Sequence, residues 1–88
     1  YPDCRPSFWT PFAIAVSRAY DVTVSTPLIS GSKTDAARRG DALHAPLHLT
    51  WSCYEGGEKH CGECGTCVER REAFADAGIP DPTEYAKA

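Results

Sequence analysis

Four of the five cysteines in this chain lie within fifteen positions, with the spacing C-x7-C-x2-C-x2-C. They are Cys53, Cys61, Cys64 and Cys67. A C-x-x-C step can place two thiolates on one ion because the intervening backbone turns back on itself, and a glycine after the first cysteine relieves crowding in that turn. Gly62 and Gly65 occupy those positions. The spacing predicts a metal site, and four sulfur ligands predict a closed, structural zinc site.

Other chemistries also use clustered cysteines. An iron–sulfur cluster takes four of them and C-x2-C-x2-C occurs in ferredoxins, whereas five cysteines in total fit poorly with a closed disulfide framework. Clustered C-x-x-C spacing favours metal in a reducing compartment, so the predicted localisation is cytoplasmic. His60 adjoins Cys61 and is left out of the ligand set, because adjacent residues rarely both reach one ion. The isolated Cys4 is predicted to be a small buried hydrophobic residue, although its neighbours Asp3 and Arg5 leave a functional thiol open as the alternative.

A chain this short is expected to need a bound metal to stabilise its fold. A chain of 88 residues with 42% hydrophobic residues suits one small domain with a modest core, and such domains often need a disulfide, a metal or a partner as a staple. Structural zinc supplies roughly 10–16 kcal/mol in small modules, so folding is expected to depend on it. The chain contains no methionine, and it is therefore expected to be a piece of a longer one.

Charge and hydropathy exclude two kinds of partner. The net charge is −3 and the nine basic residues form no long run, which argues against a nucleic-acid module. No segment approaches the 18 or so apolar residues of a membrane span. Residues 30–34, Ser-Gly-Ser-Lys-Thr, resemble the end of a phosphate-binding loop but lack its first glycine, so that motif is rejected.

Local patterns predict a mostly helical segment with little strand. The predicted elements of the single segment 1–88 are helices over about 11–20, 33–43 and 67–77, a short strand over about 22–26, and a zinc loop over 53–67. Thr10 and Pro11 favour a start at 11, although a start at Ser7 is open if Pro11 lies in the second turn. Gly78 is expected just after the end of the last helix.

Several stretches together resemble the 7-cyano-7-deazaguanine synthase family of queuosine biosynthesis. The most specific are the T-W-S-C-Y block at 50–54 and the C-G-x-C-x-x-C block at 61–67. The block at 61–67 continues into E-R-R at 69–71 and A-F at 73–74, and further matches are Y-P-D-C-R-P at 1–6, T-P-L-I at 26–29 and G-I-P-D-P-T at 78–83. The resemblance covers nearly the whole chain.

The resemblance implies an α/β fold of the adenine-nucleotide α-hydrolase-like (PP-loop) type, of which this chain is the C-terminal, mostly helical, zinc-binding part. It implies an ATP-dependent ligase that converts 7-carboxy-7-deazaguanine and ammonia to the nitrile. The four zinc ligands of the family fall on Cys53, Cys61, Cys64 and Cys67. Homodimers are common in the family.

The family's ATP-binding S-G-G-x-D-[ST] loop is not matched here, so ATP and magnesium are expected only in the complete enzyme. The predicted partners are the missing nucleotide-binding portion, a second copy, and a small deazapurine substrate. Candidate substrate-binding residues are Asp3, Arg5, Arg70 and Arg71. No catalytic residue is predicted, and the chain is expected to be inactive alone. The alternative is a freestanding structural zinc module that acts in protein interaction.

Overall fold

The computed structural model describes residues 1–87 and is helical, with two compact units, the first over Tyr1–Ser32 and the second from Lys33 onward. The three α-helices are α1, Pro6–Tyr20; α2, Lys33–Ala42; and α3, Gly65–Ala77. Short 3₁₀ turns cover Pro2–Cys4 and Leu47–Leu49. The mostly helical character is as predicted, whereas the single segment expected from the sequence divides into two units. Every helix in the described part of the chain is too short or too polar to span a bilayer.

In the first unit, α1 begins five residues earlier than the prediction of about 11. Pro6 fills the first helical position, where proline's missing N–H costs nothing, and the amides of Phe8 and Trp9 both donate to the Arg5 carbonyl. Pro11 then lies in the second turn, where it removes one backbone hydrogen bond. The helix ends at Asp21, whose φ of 53° is left-handed.

The strand predicted over 22–26 does not form, and this prediction is wrong. A strand needs a neighbour to exchange backbone hydrogen bonds with, and within residues 1–87 no segment pairs with this one. Alternating β-branched residues therefore leave the segment irregular. The β-type pairing among the described residues is a single parallel bridge, between His60 and Tyr85.

The second unit is built on α2 packed against α3. The small residues Ala37 and Ala73 are buried between the helices beside Phe74, which is 5% exposed. Lys33 forms an ion pair with Glu69 across the helix pair. Ala37, Ala73 and Phe74, together with Cys53 and Cys67, make up the buried hydrophobic residues of the described chain.

Glycine decides two local features of this unit. Gly40 lets α2 approach Leu47, because a Cβ there would lie 2.9 Å from a Leu47 methyl group. Gly78 ends α3 with a φ of 73°, and the amides of Gly78 and Ile79 donate to the carbonyls of Ala75 and Phe74. This is a Schellman motif, and it confirms the position predicted for Gly78.

Candidate metal centre

The four clustered cysteines converge in the second unit. Their sulfur atoms all lie within 4.8 Å of one another, and all four thiols are free. The Sγ–Sγ distance is 3.9 Å for Cys61 and Cys67 and 3.9 Å for Cys53 and Cys64. A tetrahedral ion with bonds of about 2.3 Å requires sulfurs about 3.8 Å apart. The donor set therefore fits one tetrahedral metal ion.

Three parts of the chain deliver these sulfurs. Cys53 follows the 3₁₀ turn at Leu47–Leu49, Cys61 and Cys64 lie in the loop before α3, and Cys67 lies in the first turn of α3. Cys64 is the N-cap of that helix, so two of the four sulfurs lie at its positive end, which favours thiolate, although burial outweighs this effect for Cys67.

Backbone N–H groups point at the sulfurs, as the glycine spacing suggests. The amide of Cys61 donates to the Cys53 sulfur at 3.3 Å, and the amides of Glu63 and Cys64 donate to the Cys61 sulfur at 3.3 and 3.2 Å. Gly62 has a φ of 84°, which lets the chain reverse between Cys61 and Cys64. The turn thus positions Cys61 and Cys64, and the amides of its residues stabilise negative charge on the sulfurs of Cys53 and Cys61.

The thiols differ strongly in acidity. A hydrogen bond from the Thr66 hydroxyl lowers the pKa of Cys64 to about 5, and the Cys61 amide lowers the pKa of Cys53. Burial raises the pKa of Cys67 to about 12, since its side chain is fully enclosed. Without a cation Cys67 therefore keeps its proton at a pH where Cys64 is already a thiolate, and metal binding to Cys67 has to release a proton.

His60 supports the loop instead of joining the ligands. Its ring stacks on Trp51 with centroids 4.1 Å apart, and its Nε2 accepts a hydrogen bond from the Ser52 amide at 3.3 Å. Burial, helped by the positive charge of Arg70, lowers the pKa of His60 and keeps the ring neutral. Within the described residues the group of side chains close enough together to share one metal ion consists of the four cysteines.

Arg70 ties three segments of the second unit together. Its Nε donates to the Thr83 hydroxyl at 2.6 Å, and its terminal nitrogens donate to the hydroxyls of Thr50 and Ser52 at 2.8 and 3.2 Å. A further hydrogen bond reaches the Leu47 carbonyl at 3.3 Å. All three guanidinium nitrogens of Arg70 therefore donate hydrogen bonds to other residues of the second unit.

The remaining predicted site residues fall in both units. Asp3 and Arg5 belong to the first unit, and Arg71, like Arg70, to the second. Arg71 donates to the carbonyls of Gly62 and Lys87. Cys4 lies in the 3₁₀ turn of the first unit and is exposed, so the prediction that it is buried is wrong. The physical reason is that no residue of that unit is buried.

Two features of the site escaped the sequence analysis. Thr66 is buried and hydrogen-bonds to the Cys64 sulfur at 3.1 Å. Residues 81–87 lie against the loop that carries Cys61. The sequence signal for Thr66 was a hydroxyl residue between two of the clustered cysteines. The sequence signal for residues 81–87 was the turn pattern Asp81-Pro82-Thr83. In that turn the Asp81 carboxylate accepts a hydrogen bond from the Thr83 amide at 2.9 Å.

Comparison with known proteins places this chain among biosynthetic proteins. The family model described as queuosine biosynthesis protein QueC matches residues 1–78. The chain is 53% identical to the 7-cyano-7-deazaguanine synthase of Sinorhizobium fredii over 97% of its own length and 38% of that protein. It is 55% identical to the synthase of Porphyromonas gingivalis over 97% of its length and 40% of that protein.

No solved structure matches the chain. The chain spans less than half the length of the curated relatives it matches, 38% in the first case. The family model covers α1, α2, α3 and all four clustered cysteines. The chain thus belongs to the QueC family of queuosine biosynthesis proteins.

Proposed function

We propose that this chain is the zinc-binding part of a 7-cyano-7-deazaguanine synthase and acts with the portion of such an enzyme that lies outside these 88 residues. One observation carries the proposal. The stretch that matches the family contains four cysteine sulfurs within 4.8 Å of one another, set for a single metal ion.

The geometry favours zinc over the alternatives. Sulfur pairs 3.9 Å apart suit one small ion, whereas an iron–sulfur cluster inserts several iron and sulfide atoms between its cysteines and spreads them further. A disulfide requires sulfurs about 2.05 Å apart. Zinc with four thiolates has no open position, so when bound it holds chain segments together and activates no water.

The chain's own residues prepare that site. The amides of Cys61, Glu63 and Cys64 and the hydroxyl of Thr66 stabilise thiolates, and Cys67 would have to release its proton to serve as a ligand. Bound to all four sulfurs, zinc would join the segment at Cys53 to the start of α3. In this proposal the site fixes the second unit so that it can form one wall of the complete enzyme.

The proposed reaction is the ATP-dependent conversion of 7-carboxy-7-deazaguanine and ammonia to 7-cyano-7-deazaguanine in the cytoplasm. ATP, magnesium and the nucleotide-binding sheet of a PP-loop fold are assigned to the outside portion. Substrate contact is proposed for Asp3 and Arg5. A substrate role for Arg70 and Arg71 stays a prediction, and any such role has to compete with their hydrogen bonds inside the chain.

Metal analysis tests the first part of the proposal. We expect about one zinc per chain with sulfur ligands at about 2.3 Å by X-ray absorption. Less than half an equivalent of zinc, with iron in its place, would contradict it.

An activity assay tests the second part. The purified chain is incubated with ATP, ammonia and the carboxylic acid, with and without the outside portion of the Sinorhizobium fredii synthase as a separate chain. We expect nitrile, measured by mass spectrometry, only when both pieces are present, and none when Cys61→Ser replaces the wild type. Turnover by the chain alone, or none from the pair although both pieces are folded and associated, would refute this assignment.

A further inference from the structure

The strap, which we define as residues 81–87, lies along the turn that carries Cys61. The amide of Ala86 donates to the His60 carbonyl at 2.8 Å, and the amide of Lys87 donates to the Cys61 carbonyl at 3.2 Å. The bond from Ala86 belongs to the parallel bridge between His60 and Tyr85, and the bond from Lys87 adds a contact one residue further on. The strap therefore pairs with the backbone on both sides of a metal ligand.

Arg71 fastens the strap to that turn. Its two terminal nitrogens donate to the Gly62 carbonyl at 2.6 Å and to the Lys87 carbonyl at 2.7 Å, and its guanidinium lies 4.1 Å from the centre of the Tyr85 ring. Arg71 lies four residues after Cys67 on α3, so both belong to one face of the helix. One side chain thus connects the helix that carries one ligand to the turn that carries another.

Gly62 makes the close approach possible. A Cβ at this position would overlap the Lys87 carbonyl oxygen and would lie 2.9 Å from an Arg71 terminal nitrogen. Glycine is therefore required at position 62 for two reasons: the turn needs a φ of 84°, and the strap occupies the space that a Cβ would fill.

Two ion pairs flank the contact between the strap and the Cys61–Gly62 turn. Lys59 pairs with Glu84 at 3.2 Å, and Lys87 pairs with Glu63 at 3.4 Å. Both ion pairs are exposed, so each contributes little to the stability of the strap contact. The backbone hydrogen bonds and the two hydrogen bonds of the Arg71 guanidinium contribute more.

We propose that the strap, fastened by Arg71, retains the zinc ion by holding the Cys61–Gly62 turn closed. A four-sulfur site loses its ion only when its ligands leave the ion one after another. Cys61 is partly accessible to solvent, whereas Cys67 is enclosed. Opening of the turn is therefore the first step of zinc release, and the strap opposes it. This inference rests on the zinc assignment in the proposed function.

Zinc release from the loaded 88-residue chain to excess chromogenic chelator tests the strap. Truncation after Pro80 and Arg71→Gln are each expected to speed release about tenfold or more, the effect of losing a charge-assisted fork. Arg71→Lys is expected to fall between, because it keeps the charge but not the fork. Glu72→Gln, at the exposed neighbouring position on α3, is the matched control and should release at the wild-type rate.

Cobalt substitution separates retention from ligand loss. The visible spectrum of each cobalt-loaded variant should keep its four-sulfur bands while the release rate rises. If the truncated chain fails to fold, Arg71→Gln and Arg71→Lys decide the question alone. Wild-type release rates in both Arg71 variants would overturn the strap, whereas a wild-type chain that binds no zinc would overturn the proposed function itself.

A double-mutant cycle isolates the contact at Gly62. Gly62→Ala is measured in the full chain and in the chain truncated after Pro80. The φ cost of alanine is common to both backgrounds, but the overlap with Lys87 exists only in the full chain. We expect Gly62→Ala to speed zinc release clearly more in the full chain. Equal effects in the two backgrounds would overturn the proposal.

Discussion

The two units of this chain contrast in how they hold their residues. In the first, Phe8, Trp9 and Phe12 contact one another on α1 with ring centroids 5.2–5.5 Å apart, yet no residue of the unit is buried. In the second, four cysteine sulfurs converge, and Phe74 is 5% exposed. Local aromatic contacts along one helix therefore do not make a core, whereas segments distant in sequence that meet at one site do.

The physical reason lies in what each unit can enclose. A single helix of 15 residues presents one face to its neighbours, and isolated helices of that length are marginal in water. The second unit has two packed helices and a loop between them, with polar groups joined by Arg70 and Arg71. The first unit consequently leaves an apolar groove of about 340 Å³ open to solvent, lined by Trp9, Ile14, Val24 and Ile29 among others.

Zinc removal is expected to have the largest effect on this contrast. A strong chelator should abolish amide protection in the second unit, because about 10–16 kcal/mol of metal binding is lost. Hydrogen exchange in the first unit should be fast with or without zinc, since it has no buried residues. Hydrogen exchange followed by mass spectrometry measures both units at once.

Two cysteine substitutions serve as controls for that experiment. Cys64→Ser should reproduce the effect of the chelator, and Cys4→Ser should leave exchange unchanged, because Cys4 is exposed and outside the cluster. Protection of the second unit that survives both chelation and Cys64→Ser would show that helix packing alone sustains it.

A matched pair of phenylalanines tests the contrast next. Phe74→Ala should lower the free energy of unfolding by about 3–5 kcal/mol, because it opens a cavity beside Ala73. Phe12→Ala should cost below about 1 kcal/mol, since 41% of that side chain is already exposed. Urea unfolding of the zinc-loaded chain measures both. Equal losses would mean that the first unit buries Phe12 in solution.

Arg70→Gln should have a smaller effect, confined to the second unit. It removes hydrogen bonds to Thr50, Ser52 and Thr83, and we expect a loss of about 2 kcal/mol in the same urea experiment. Arg39→Gln, an exposed arginine of α2, is the control and should change the stability by less than about 0.5 kcal/mol. If the two substitutions cost the same, the Arg70 network contributes nothing to stability.

The smallest expected effect concerns the Tyr85 hydroxyl and depends on pH. Burial, together with the hydrogen bond to the Asp81 carboxylate at 2.7 Å, raises the pKa of Tyr85 above its usual value of 10. The stabilisation is therefore complete below pH 10 and is lost as the pH rises through the raised pKa. Tyr85→Phe should cost about 1 kcal/mol at neutral pH, and the difference from the wild type should shrink in strong alkali.

Difference spectra check the titration directly. The other three tyrosines, Tyr1, Tyr20 and Tyr54, are all more than 70% exposed, so subtraction of the Tyr85→Phe spectrum isolates Tyr85. The midpoint of its near-ultraviolet tyrosinate band should lie above pH 10, because the pKa of Tyr85 is raised. A normal titration would mean that the contact with Asp81 is not formed in solution.

The sequence by itself determined the cysteine cluster and the three helices. Cysteine spacing and the glycines act over a few residues, so Cys53, Cys61, Cys64 and Cys67 could be grouped and Gly78 placed without a structure. The family resemblance was likewise carried by short contiguous blocks, and the family match confirms it. Short-range patterns are readable because the chain's own geometry fixes the distances that they imply.

Only the tertiary structure decided how the remaining residues are used. Residues 22–26 alternate like a strand but meet no partner, and Cys4 is exposed because nothing packs over it. Arg70 and Arg71 read as adjacent charges on a helix, yet their hydrogen-bond partners lie 9 to 23 residues away along the chain. Pairing, burial and bidentate hydrogen bonds require groups from distant positions to meet, and a local pattern does not state which groups those are.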